Sequence, residues 1–123
     1  MNTIQRIEFT VPIRTVSEMN SRDHWRVKNA RKKAQQEEVA IAMHNAMVRS
    51  RIELPCSVRM IRYGQKALDS DNLASSFKGC QDVIAQKLGV DDGDTAKVKW
   101  LYEQQPTGTR NYFVRVEICS IGR

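Results

Sequence analysis

Histidine, cysteine and glycine are scarce in this chain, and each shortage closes a class of chemistry. The two histidines, His24 and His44, lie far in sequence from the acidic stretch at 66–94, so no Ser/His/Asp or Cys/His arrangement is indicated. Three cysteines, Cys56, Cys80 and Cys119, are odd in number and widely spaced. They make no zinc pattern and read as small core residues in a reducing cytoplasm. Six glycines are scattered along the chain without forming a glycine-rich phosphate loop, so no organic cofactor is expected. No apolar run reaches spanning length and no N-terminal signal pattern stands out, so the chain is expected to be cytoplasmic, without a membrane partner. What remains is ordinary for a globular protein: 123 residues, 41% apolar and 28% charged. That length predicts one domain over residues 1–123.

One region is unusual. Residues 66–94 hold Asp69, Asp71, Asp82, Asp91, Asp92 and Asp94, every aspartate except Asp23, and no glutamate. The whole chain is basic, at +6, so this is concentrated negative charge on a positive molecule. Crowded carboxylates raise one another's pKa unless a cation sits among them. Short aspartate side chains suit the oxygen shell of Mg²⁺ or Mn²⁺. An EF-hand is excluded, because counting from Asp69 puts Ala74 where glycine is needed and Cys80 where a bidentate glutamate is needed.

Asp69-Ser70-Asp71-Asn72 reads as a helix start, and Gly89 as a left-handed stop. Over 71–89, Leu73, Phe77, Cys80, Ile84 and Leu88 form an apolar stripe. On an unbroken helix Asp71, Lys78 and Asp82 project from the other side, within about 40° of one another. A solvated helix face with an Asp-rich turn explains the same spacing. Such a helix is about 27 Å long, so Asp91 to Asp94 meet Asp71 only if their turn wraps back or a second subunit supplies them.

The remaining chain predicts strands over 4–11, 56–63, 98–102 and 112–118, and a helix over 25–49. The expected fold is a small α+β domain, a mixed sheet in β-α-β-α-β-β order with two helices packed on it. In the long first helix Val39, Met43, Ala46 and Met47 form the apolar stripe. Arg22, Arg26, Arg31 and Lys32 cluster at its start and suit phosphate contacts, with Asn20 and Ser21 as further donors. Trp25 and His24 are read as packed beneath that helix rather than as part of a binding surface.

Asp69-x-Asp71-Asn72-Leu73, the amphipathic helix with its lysine and Asp82, and the turn reaching Asp91-Asp92 together resemble the RusA family of Holliday junction resolvases, often carried by phages and prophages. The resemblance covers 66–94, is weaker near 17–20, and elsewhere is one of element order. It implies a homodimeric, Mg²⁺-dependent (or Mn²⁺-dependent) endonuclease that resolves branched DNA in recombination or repair. By that resemblance Asp69, Asp71 and Asp92 hold the metal, with Asp91 and Asp82 as outer or alternative ligands. Lys78 would neutralise charge on the reacting phosphate, and the loop at 17–20 would lie near DNA. The chain departs from the family at Ser75, where the family has its lysine; Lys78 follows about one turn later. Two rivals stand beside this expectation: a DNA-binding protein of the same fold that does not cut, and a metal-dependent nuclease acting on RNA or flaps.

Overall fold

The structure, a computed structural model, describes residues 2–16 and 22–121. Alternation organises its sheet. In β2 (Arg6–Val11), Ile7, Phe9 and Val11 turn inward while Arg6, Glu8 and Thr10 face out. In β4 (Cys56–Gly64), Cys56, Val58 and Met60 share the inward side, as do Val114, Val116 and Ile118 of β6 (Phe113–Ser120). The longer β5 (Val98–Pro106) completes the sheet, in the order β2-β6-β4-β5. β6 runs antiparallel to both β2 and β4, and β4 runs parallel to β5, so the sheet is mixed. A separate parallel pair joins β1 (Asn2–Ile4) to β3 (Ser50–Ile52).

Three helices cover the inward face. α1 (Trp25–Ala46) lies against β2 and against α3 (Lys78–Leu88), while α2 (Ser70–Ser76) lies against β5. Val39 and Met43 are the buried residues of α1, and Leu73, Phe77, Cys80 and Ile84 supply the apolar stripe of the α2–α3 segment. Full burial of side chains this size contributes about 2–3 kcal/mol each. The thiols of Cys56 and Cys80 sit in this interior, and burial pushes their pKa values up to about 11 and about 12. Both are therefore inert core residues. The assembly is a small α+β fold, and no helix among the described residues is long and apolar enough to cross a membrane.

Four local expectations are revised. The strand expected over 4–11 divides into β1 and β2, so that β1 pairs with β3 instead of joining the main sheet. The first helix stops at Ala46, with Met47 as its cap and Arg49 at φ 55°. Trp25 is 60% exposed; among the described residues, His24, at 5.5 Å between ring centroids, and the Arg26 guanidinium accompany its ring. The first turns of α1 carry too few apolar side chains to bury it. Lastly, the second helix is broken at Phe77 into α2 and α3. Ser75 Oγ donates to the Asn72 carbonyl at 3.2 Å and Ser76 Oγ to the Leu73 carbonyl at 2.7 Å. Such back-bonds compete with the helix ladder and bend it.

Candidate functional site

The acidic stretch begins where β4 ends. Gln104 of β5 grips Leu68 twice, its side-chain oxygen accepting from Leu68 N at 2.9 Å and its amide donating to the Leu68 carbonyl at 2.7 Å. The next residue, Asp69, is therefore delivered from a fixed point and caps α2. Its Oδ1 accepts from Asn72 N at 2.9 Å, and its Oδ2 from the Asn72 side chain at 3.1 Å. The paired Asp69/Asn72 in the sequence is thus a cap that closes on itself. Asp71 is exposed and makes no hydrogen bond or ion pair among the described residues. Ser75 lies one turn further along the same helix and shares its face.

The late aspartates return to the helix rather than ending far from it. Gly89, at φ 74°, takes the left-handed conformation that reverses the chain, with Gly89 N donating to Gln86 O and Val90 N to Ala85 O. The Trp100 indole then donates to the Asp92 carbonyl at 2.9 Å, which pins the turn against β5. Asp91 and Asp94 serve the turn itself, accepting from Gly93 N at 2.9 Å and Ala96 N at 3.1 Å. Asp92 points elsewhere. Its Oδ2 lies 3.4 Å from Lys78 Nζ, and the same ammonium is 3.5 Å from Asp82 Oδ1. Lys32 of α1 approaches Asp82 at 3.8 Å. Asp82 first, and Asp92 next, hold the Lys78 pKa above its ordinary value. The Tyr102 hydroxyl donates to the Gln81 side chain beside this cluster.

Lys32 and Gln35 of α1, Ser75 and Ser76 of α2, and Lys78 and Gly79 of α3, with Val16, line one cavity of about 310 Å³. The basic start of α1 and the acidic α2–α3 segment therefore meet across the position of Ser75. Among the described residues, no three carboxylate, imidazole or thiol groups stand together as a metal site. The donor chemistry suits a hard cation, but the carboxylates form two groups. Asp69 and Asp71 open α2, while Asp82 and Asp92 flank the Lys78 ammonium.

The proposed DNA-contacting residues have varied surroundings. Arg22 is exposed, and Arg26 lies over Trp25 with its guanidinium carbon 5.4 Å from the ring centroid. Arg31 is ion-paired with Asp23, and Lys32 is turned toward Asp82. Asn20 lies outside the described residues.

Sequence reading missed a second cluster. Arg62 occupies an inward position of β4, is only 6% exposed, and donates from Nη1 to the Lys66 carbonyl at 3.1 Å. The Tyr112 ring lies beside it, and the Arg14 guanidinium faces the same ring at 4.4 Å. The available signal was a lone arginine in register with Cys56, Val58 and Met60. A scan of protein-family models and a search of curated proteins return no match to this chain.

Proposed function

We propose that this chain is a structure-selective, Mg²⁺-dependent endodeoxyribonuclease of RusA type, acting on branched DNA as a homodimer in recombination or repair. The observation that carries the reading is the return of Asp92 to Lys78, at 3.4 Å, on the helix that follows Asp69 and Asp71. The left-handed Gly89 turns the late aspartates back onto α3, where Asp92 meets Lys78, while Asp69 and Asp71 open α2 as a separate group that the metal would have to draw toward Asp92. Asp69, Asp71 and Asp92, with Asp91 and Asp82 as outer or alternative ligands, would hold a Mg²⁺ or Mn²⁺ that would supply a water of lowered pKa and polarise the scissile phosphate.

The chain's own residues divide the remaining work. Lys78 bridges Asp92 and Asp82, and its ammonium would meet charge that grows on a phosphate once a metal has taken over Asp92. Lys32 carries the positive face of α1 to the same cavity. Arg22, Arg26 and Arg31, with Asn20, would follow the DNA backbone away from it. A two-fold dimer would match the two opposed cuts that a four-way junction needs. Asp71→Asn tests the assignment under single-turnover conditions. Cleavage should fall at least about 100-fold, as for other electrostatic contacts to a transition state. Junction affinity should stay equal or rise, because a negative charge facing phosphates is lost. Unchanged cleavage rejects the site.

One observation favours a second reading, a DNA-binding protein that does not cut. Lys78 is already committed to two carboxylates, and Ser75 stands where the resembled family has lysine. Wild-type protein that binds four-way junctions yet cleaves no branched substrate in Mg²⁺ or Mn²⁺ establishes that reading. Gain of cleavage on Ser75→Lys would then show that one missing charge separates the two.

A further inference from the structure

We propose that Arg62, Arg14 and Tyr112 form a binding site for one phosphate of a nucleic-acid backbone, beside the loop that leads to Asp69. The inference rests on the nucleic-acid reading above and adds a subsite to it. Arg62 is 94% buried by its 6% exposure, yet it has no carboxylate partner among the described residues. Its Nε is enclosed without an acceptor among the described residues, as is Thr15 Oγ1, on the residue after Arg14. An unpaired buried charge is costly to a fold unless something binds it.

What surrounds Arg62 makes the case stronger. Its guanidinium carbon is 5.8 Å from the Tyr112 ring centroid, and that of Arg14 is 4.4 Å from the same centroid. Two cations thus share one aromatic ring, with no acid between them. Burial first, and the like charge of Arg14 as well, push the Arg62 pKa down. A β-carbon at Gly64 would stand 2.9 Å from both Arg62 Nη1 and the Tyr112 ring, so glycine is what lets the guanidinium seat there. The Lys66 carbonyl and the Gln35 amide, which donates to the Arg14 carbonyl at 2.7 Å, fix the two chain segments. Two guanidiniums gathered at one ring offer forked donors to the free oxygens of a phosphodiester, the geometry through which arginine binds phosphate. Lys66 lies three residues before Asp69, so a phosphate held here neighbours the one at the acidic site.

The test uses the full chain without divalent metal. Inorganic pyrophosphate is titrated while the Arg62 Nε–Hε signal is followed by NMR, the signal being assigned by its loss in Arg62→Lys. The signal should shift saturably, and Arg14→Gln should weaken that binding about tenfold. Arg14 is exposed and its side chain makes no hydrogen bond among the described residues, so Arg14→Gln, with pyrophosphate binding read by calorimetry, carries the test even if Arg62→Lys does not fold and the Nε signal stays unassigned. A labelled four-way junction should also bind Arg14→Gln more weakly, with its salt slope lowered by about one. An unmoved Nε signal, or equal pyrophosphate binding by Arg14→Gln, overturns the site. Saturable pyrophosphate binding with unchanged junction affinity and slope overturns the backbone assignment, leaving a site for free phosphate. Loss of slope in a protein that never cleaves supports the subsite while removing the endonuclease reading.

Discussion

Arg59 and Arg62 stand three residues apart on β4 and face opposite sides of the sheet. Arg59 is on the uncovered side, where it donates to Glu103 and, at 3.3 Å, to Glu117. The chain of charge continues across β2 and β6, with Arg115 beside Glu8 and Arg6 3.9 Å from Glu117. These partners hold the Arg59 pKa above its ordinary value and that of Glu103 below it. Arg62, on the helix-covered side, is enclosed, acid-free and lowered in pKa. Each face also carries an aromatic stack: Tyr63 with Phe113 at 4.4 Å on the first, Phe77 with Tyr102 at 5.9 Å on the second. Arg59's charge is thus compensated across the sheet, while Arg62's has no acid beside it among the described residues.

The largest effect should come from the aromatic pairs. Phe77→Ala, at a fully buried site, should lower unfolding free energy in urea by about 3–5 kcal/mol. Phe113→Ala, half-buried on the other face, should cost about 1–2 kcal/mol. Equal losses would erase the distinction between the faces.

Next in size is Arg62→Met. Replacing an unpaired buried cation by an apolar side chain of similar length should raise stability by about 1 kcal/mol while weakening DNA binding. A clear loss of stability would instead make Arg62 a structural post for the Lys66 loop.

Arg59→Met should move the urea midpoint downward by less than Arg62→Met moves it upward, and the change should vanish in 1 M salt, at about a 3 Å screening length. A salt-independent loss would mean that packing of the arginine stem, not its charge, is what matters.

The smallest effect concerns acid. Glu103 has a folded pKa below its ordinary 4.5, so its pairing stabilises the fold above that value. That contribution disappears as pH falls through the lowered folded value. Stability curves of wild type and Arg59→Met should therefore converge below pH 4.5; parallel curves would remove Glu103 from the account.

Much of the fold was legible because periodicity depends on local geometry. Alternation at Ile7, Phe9 and Val11 marked a strand, and Leu73, Phe77, Cys80 and Ile84 marked a buried helix face. Asp69 as a helix cap followed from the short polar run around it. The break at Phe77 was harder to see, since Ser75 and Ser76 are compatible with a helix until their hydroxyls bond backward. Trp25 was misjudged because burial depends on what another element brings to the ring, and the ring stays 60% exposed.

By itself the sequence determined that aspartates crowd into residues 66–94, that lysines and arginines gather at the start of α1, and that a mixed sheet with helices follows. Those are consequences of composition and of bonds between near neighbours. Only the tertiary structure decided that Asp92 returns to Lys78, that Lys32 and Ser75 line one cavity, and that Arg14 and Arg62 share the Tyr112 ring. These contacts join residues 14 to 98 positions apart in the chain. Their distances are set by sheet register and helix packing, which no local pattern encodes.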